Sequence, residues 1–262
     1  MLKAISKGKQ ITRALTKRLI LSIPVLAYLI RRFLYGRKIF ERLESSEALY
    51  LLGLDFHGKI VFDIGSYIGE ITQFFASSVG KKGYVVAFEA NPDTYKRLTQ
   101  RIGRDIDPNV LAVNMAVGLT SGTCHLTVRN LEAATATFDL NIQAQIIAEG
   151  NYYECNVPMC SLDDYVASGE CDVIPHFIKI DAEGAEFDIL RGAIRLLKMY
   201  HPELFIEIHG ATQALKEKNI ENIIGFLESL NYSIYHVESH QEISLRNYRL
   251  AREGHIYCKW NL

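Results

Sequence analysis

The turn Asp63-Ile-Gly65-Ser-Tyr-Ile-Gly69-Glu70 constrains this chain more than any other stretch. Before it, Lys59-Ile-Val-Phe-Asp63 is a short apolar run ending on an acid, as a buried strand does. After it, apolar residues recur at Ile71, Phe74, Phe75 and Val79, the spacing of one helix face. A strand that turns through glycines into a helix opens a β-α-β unit, and here the unit repeats. Gly83 leads into a second apolar run over 84–89, Asn91-Pro92 opens a helix over 92–102, and a third run covers 110–117. That order calls for a parallel sheet with helices on both faces.

The rhythm breaks between 123 and 160, where runs at 124–128 and 154–159 read as an inserted strand pair around a polar loop, 129–153. The loop is long enough for a lid or a disordered tip. Ser161 caps a short helix, and parallel order resumes with a strand at 177–181 and a helix at 187–197. A strand at 204–208 and a helix at 212–230 follow, and runs at 233–237 and 255–259 close as an antiparallel hairpin. The expectation is an α/β fold, a doubly wound and mostly parallel seven-stranded sheet. The inserted strand pair and an N-terminal helical arm complete it, with the arm over 1–50 and the domain over 51–262.

Charge separates these two parts. Ten Lys and Arg precede Glu41 without one acid, which leaves 19 basic against 30 acidic residues in the rest of the chain. So acidic a body is a poor nucleic-acid binder, because phosphates need a basic surface. In the arm, Leu-Ile-Leu-Ser-Ile-Pro-Val-Leu-Ala-Tyr-Leu-Ile, residues 19–30, lies between Lys17-Arg18 and Arg31-Arg32. A spanning helix needs about 20 apolar residues, so this run is short, and Pro24 interrupts it. Two readings stand: a helix packed on the body, or a basic anchor over residues 1–38 on an anionic membrane surface. Five cysteines, Cys124, Cys155, Cys160, Cys171 and Cys258, form no CxxC pair and read as free thiols. The expected location is the cytoplasm, peripheral to the membrane if the arm is an anchor.

The glycine turn also selects ligands. In an open α/β sheet a strand's carboxyl end meeting a helix is where ligands bind. A dinucleotide fingerprint, GxGxxG, would place its second glycine at position 67, which is Tyr67. A bulky residue there argues against a pyrophosphate, and Asp63 adds negative charge where a phosphate would sit. Asp63 suits a cationic ligand such as S-adenosylmethionine, with its amine and sulfonium. Glu89, twenty residues past Gly69, ends the next strand, where an acid accepts hydrogen bonds from ribose hydroxyls. The cofactor-binding set expected from these turns is Asp63, Gly65, Ser66, Tyr67, Gly69, Glu89, Ala90 and Asn114.

A second cluster of acids follows the strand at 177–181: Asp181-Ala-Glu183-Gly184-Ala-Glu186. The next strand carries Glu207 and ends at His209, two residues on and so on the same face. Parallel strands bring these ends to the same edge as Asp63 and Glu89. Asp181, His209 and Glu207 are therefore the expected catalytic residues, as a base and its aligning groups for removing a hydroxyl proton. The same acids suit magnesium, although no metal-ligand spacing is present. The alternatives are structural: Glu183 and Glu186 favouring a helix N-terminus, and Glu207 pairing with Lys179. The other seven histidines, His255 among them, lack ligand spacing and read as surface or core residues.

Asp-Ile-Gly-Ser-Tyr-Ile-Gly-Glu, Phe-Glu-Ala-Asn-Pro-Asp-Thr-Tyr, Ser-Leu-Asp-Asp-Tyr, the block from Ile178 to Ala193, and Pro-Glu-Leu-Phe-Ile-Glu-Ile-His occur in that order. Together, from about Val61 to His209, they resemble the FkbM-type class I methyltransferases. The resemblance implies S-adenosylmethionine as cofactor, a loop of Asp63, Gly65 and Gly69 around it, Glu89 on its ribose, and Asp181 beside the methyl group. It implies O-methylation of a sugar, glycan or secondary-metabolite hydroxyl. The alternative is a catalytically silent binding protein that keeps the fold. The chain departs from the family pattern at Ser66-Tyr67, where Ala-Asn is usual, and at Ala90, where Pro is usual.

Overall fold

A computed structural model describes residues 46–103, 108–129, 136–169 and 173–261. Helix α1 (Ser46–Gly53) leads to strand β1 (Ile60–Ile64), helix α2 (Glu70–Val79), β2 (Tyr84–Phe88), α3 (Pro92–Ile102) and β3 (Val110–Val113). An insert follows: β4 (Ala116–Val117), β5 (Gly122–Arg129), β6 (Ala136–Thr137), α4 (Leu140–Glu149) and β7 (Tyr152–Cys160). Helix α5 (Leu162–Ala167), β8 (Phe177–Ile180), α6 (Glu186–Arg191), α7 (Ile194–Tyr200), β9 (Glu203–Glu207) and α8 (Gln213–Ser229) return the chain to the sheet. Strands β10 (Tyr232–His236), β11 (Gln241–Ile243) and β12 (His255–Trp260) end it.

The main sheet runs β11-β10-β12-β9-β8-β1-β2-β3, parallel from β9 to β3 and antiparallel beyond β9. Side-chain alternation divides its residues between two cores. Phe62, Val86, Ile178, Leu204 and Ile206 pack toward α5 to α8, with Ile189, Leu196, Ile220 and Ile224. Val61, Val85, Phe177 and Phe205 pack toward α1 and α2, with Leu51, Phe56, Phe74 and Phe75. Phe56 sets its ring edge against Phe74, Phe75 and Phe177, so aromatic contacts close that second face. Two apolar faces make the central strands read as continuous apolar runs.

The doubly wound α/β class holds, with corrections of detail. The main sheet has eight strands rather than seven, because β11 adds an edge beside β10, and the insert is a separate four-stranded sheet, β4-β7-β5-β6. The run 110–117 is two strands in two sheets. Between them Asn114 Nδ2 donates to the carbonyls of Glu89 and Ala90, which turns the chain out of the main sheet. The loop 129–153 holds β6 and α4, whose first turn is capped by Asp139 and whose Ile142 and Ile146 are buried. The helix at 187–197 is two helices. Gly192 separates them where a side chain would strike the Gly118 carbonyl, and the Asp163 carboxylate caps the second through the N–H groups of Arg195 and Leu196.

Helix α1 crosses the boundary expected at residue 50, and its Tyr50 ring lies against Phe205 and Tyr257. The membrane reading of residues 1–38 lies outside the described residues. Among the described residues no helix is long and apolar enough to cross a membrane.

Candidate active site

The carboxyl ends of β1, β2, β8 and β9 open onto a cleft of about 850 Å³ of empty volume, partly continuous with solvent. Ile64, Phe88, Ala116, Leu126 and Phe138 give it an apolar side, and Glu89, Asp181, Glu183, Glu207 and His209 give it a charged one. The insert thus supplies one wall, through Leu126, Ala136 and Phe138.

Gly65 fixes where the first loop can lie. Its φ is +76°, and a Cβ there would overlap the Asp181 carbonyl oxygen, so only glycine lets β1 end this close to β8. Ser66 is buried and its hydroxyl rests on the carbonyls of Asp63 and Phe88. Tyr67 takes a left-handed φ of 49° and reaches the cleft wall, with the Arg97 guanidinium 5.9 Å from its ring centre. At Gly69 a Cβ would press on Leu98 of α3, so glycine there admits a helix-to-helix contact.

Asp63 lies behind the cleft wall. Strand alternation turns its side chain toward the α2 face, fully buried, where Thr72 Oγ1 donates to its Oδ2 at 2.7 Å. Burial raises its pKa, and the nearby Lys179 ammonium and the Thr72 bond oppose this. Its Oδ1 has no hydrogen-bond partner among the described residues. Asp63 is not among the residues that line the cleft.

Glu89 does reach the cleft. Its Oε2 accepts the Tyr67 N–H at 2.8 Å and its Oε1 accepts the Asn91 N–H at 2.9 Å. A carboxylate has about four acceptor sites, so each oxygen keeps one for a ligand hydroxyl. Burial pushes the Glu89 pKa up to about 8, against the lowering effect of the two N–H groups. Ala90 lines the cleft beside it. Asn114 and Ser66 shape the loops rather than face the cavity.

The acid cluster converges on His209. Its Nε2 lies 3.6 Å from Glu207 Oε1, 3.8 Å from Asp181 Oδ1 and 4.0 Å from Glu183 Oε2. Its Nδ1 is 2.8 Å from Oε1 of Glu186, which is fully buried and also accepts Asn219 Nδ2 and the Gly184 N–H. Burial lowers the His209 pKa, but the Glu186 bond and the charges of Glu186, Asp181 and Glu183 outweigh it and lift the pKa to about 10. Glu183 stands at a φ of 47°, its carbonyl accepting the hydroxyl of Thr137 from the insert.

The structural alternative for Glu207 was a pair with Lys179. The buried Lys179 ammonium instead donates to Asp181 Oδ2 at 3.0 Å. It stays charged despite burial because Asp181, Asp63 and Glu47 surround it. His255, read as a surface or core residue, places Nε2 3.7 Å from Glu207 Oε2, with Nδ1 on Glu238 at 2.8 Å. Burial raises the Glu207 pKa, yet His255, His209 and Lys179 together hold it down to about 2. The alternation Phe-Ile-Lys-Ile-Asp could have marked Lys179 as facing Asp181's side; nothing in the sequence marks Glu47 or His255.

Comparisons with known proteins place these observations. Residues 63–234 match the family model described as the methyltransferase FkbM domain. Hexuronic acid methyltransferase AglP of Haloferax volcanii is 30% identical over 151 residues, 58% of this chain and 56% of its own length. The chain thus spans about half of that relative. The crystal structure of methyltransferase FkbM from Methylobacillus flagellatus superimposes with a TM-score of 0.51 at 19% identity, covering 79% of this chain and 45% of that one.

Proposed function

This chain belongs to the FkbM methyltransferase family, and we propose from that premise that it transfers a methyl group from S-adenosylmethionine to a hydroxyl of a sugar, glycan or secondary metabolite. The observation that carries the reading is the Glu89 carboxylate. It is fixed by two backbone N–H groups and still presents one acceptor site per oxygen to the cleft, a match for vicinal ribose hydroxyls. The apolar side made by Phe88, Ala116 and Leu126 suits a flat heterocycle beside that ribose. S-adenosylmethionine supplies an electrophilic methyl carbon on a sulfonium.

The chain's own residues then position the acceptor and take its proton. Asp181 is anchored through Oδ2 by Lys179 and turns Oδ1 to the cleft, where it can accept the hydroxyl proton. His209 lies beside Asp181 Oδ1 and orients the acceptor oxygens and the neighbouring carboxylates. Glu207 aligns His209. The hexuronic acid named for the Haloferax relative supports a sugar as acceptor. Magnesium, suggested by the acids, would meet two carboxylates and one nitrogen here, and the nitrogen favours a softer divalent ion.

The test is a transfer assay with isotope-labelled S-adenosylmethionine against sugars and uronic acids. Asp181→Asn is expected to lower turnover by about 10²- to 10⁴-fold with binding of S-adenosylhomocysteine retained. A wild-type protein that binds the cofactor and labels no hydroxyl acceptor would support the silent binding protein instead.

A further inference from the structure

We propose that Asp181, Glu207 and His209 form a binding site for one divalent transition-metal ion of the Mn²⁺ class, at the acceptor end of the cleft. The proposal deepens the methyltransferase reading and rests on it for the ion's task, not for the ion's presence. The inner atoms of the three side chains all lie within 4.8 Å of one another. An ion about 2.1 Å from each ligand would set neighbouring ligand atoms about 3.0 Å apart and opposite ones about 4.2 Å apart. The observed separations from His209 Nε2, 3.6 Å to Glu207 and 3.8 Å to Asp181, fall between those limits. They are too long for hydrogen bonds.

The second observation is independent of that spacing and concerns the far side of each group. Metal-binding histidines and carboxylates are held from behind by partners that fix their orientation. Here two of the three have such a partner at hydrogen-bond distance, and the third has a histidine near it. Glu186, fully buried, holds His209 through Nδ1 at 2.8 Å and leaves Nε2 to the centre. Lys179, also buried, holds Asp181 through Oδ2 at 3.0 Å and leaves Oδ1 to the centre. His255 stands behind Glu207 Oε2 at 3.7 Å and leaves Oε1 to the centre. Its Nε2 is buried with no hydrogen-bond partner among the described residues, so a small rotation of Glu207 onto an ion could complete that contact as well.

Ligand chemistry selects the ion. Imidazole suits manganese, iron and zinc more than magnesium, while paired carboxylates suit manganese more than copper. Two carboxylates would neutralise a divalent ion, and three protein ligands leave positions open to water or to acceptor oxygens. A hydroxyl bound at an open position would give up its proton more readily, to a cleft carboxylate outside the ligand set, Glu183. Such an ion would also let a carboxylated sugar approach a cleft otherwise lined by Asp181, Glu183 and Glu207.

The experiment titrates Mn²⁺ alone into chelator-treated full-length protein, read by calorimetry and by electron paramagnetic resonance. Binding of S-adenosylhomocysteine is measured in parallel. One Mn²⁺ per chain is expected, with spin-echo modulation from a coordinated imidazole nitrogen that is absent in His209→Gln. Glu207→Gln and the outer variant Glu186→Gln should each weaken Mn²⁺ about 10- to 100-fold. Unchanged far-UV circular dichroism shows that each variant is folded. If a variant is unfolded, the wild-type nitrogen modulation alone decides. No saturable Mn²⁺ binding, absence of the nitrogen signal, or affinity unchanged in folded Glu207→Gln and His209→Gln overturns the site. Mn²⁺ binding with no S-adenosylhomocysteine binding would instead overturn the methyltransferase reading and leave the metal site standing.

Discussion

Glu89 Oε2 accepts the backbone N–H of Tyr67 at 2.8 Å, a bond that ties the turn after β2 to the turn after β1. One carboxylate thereby fixes the spacing of two loops and keeps acceptor sites for a ligand. Tyr67 has a left-handed backbone, with a φ of 49°, where its N–H meets Glu89.

Glu89 should make cofactor binding depend on pH. Burial raises its pKa to about 8, so it is mostly protonated at pH 6 and mostly ionised at pH 9. Only the ionised form accepts from both ribose hydroxyls. Affinity for S-adenosylhomocysteine should therefore rise as pH increases through about 8, with proton release on binding below it. Calorimetry in buffers of different ionisation enthalpy measures both quantities. A flat profile in wild type, or the same slope in Glu89→Gln, contradicts the assignment.

Gly65 and Gly69 should differ in kind. Gly65→Ala combines a left-handed backbone with overlap on the Asp181 carbonyl, which belongs to the adjoining strand end. It should cost at least about 1–3 kcal/mol and disturb both the cofactor loop and Asp181. Gly69→Ala presses on the flexible end of Leu98, away from the cleft. Thermal melts should show both variants destabilised, with S-adenosylhomocysteine affinity lowered only in Gly65→Ala.

Lys179 is the counter-charge for several buried acids. Lys179→Met leaves Asp181, Asp63 and Glu47 without it and should destabilise the protein by about 3–5 kcal/mol in urea titrations. A loss below about 1 kcal/mol would mean that the acids are already neutral.

Asp63 should matter less for the cofactor than its place in the sequence suggests. Its carboxylate is buried on Thr72 behind the wall. Asp63→Asn keeps the shape and one acceptor oxygen, so S-adenosylhomocysteine affinity should stay within about threefold, or roughly 0.6 kcal/mol. A loss of ten- to a hundredfold would restore a direct role.

The legible parts were those governed by periodicity and by strand ends. Apolar runs such as Ile-Val-Phe and Tyr-Val-Val-Ala-Phe are buried on both faces, and parallel order sends Glu89, Asp181, Glu207 and His209 to one edge. Three kinds of feature were not legible. Asp63 has the spacing of a ligand-facing acid, but it is the last residue but one of β1, and its side chain turns to Thr72 of α2. The insert hid α4 because its apolar residues, Leu140, Ile142, Ala144, Ile146 and Ile147 among them, are spread round the helix, and of these only Ile142 and Ile146 are buried. Contacts between distant segments, Glu47 with His255 or His255 with Glu207, leave no local pattern. Glu186 was visible as a helix-start acid, yet its bond to His209 depends on how α6 sits against the end of β9.

The most direct measurement is calorimetric titration of wild type and Glu89→Ala with S-adenosylhomocysteine, with NAD as the competing dinucleotide. One saturable site for S-adenosylhomocysteine and none for NAD is expected. Glu89→Ala should weaken it by about one to two decades, the loss of roughly 1.5–3 kcal/mol from hydrogen bonds to a charged group. Equal affinity in the two proteins, or a preference for NAD, would contradict the placement of a ribose on Glu89 and the cofactor with it.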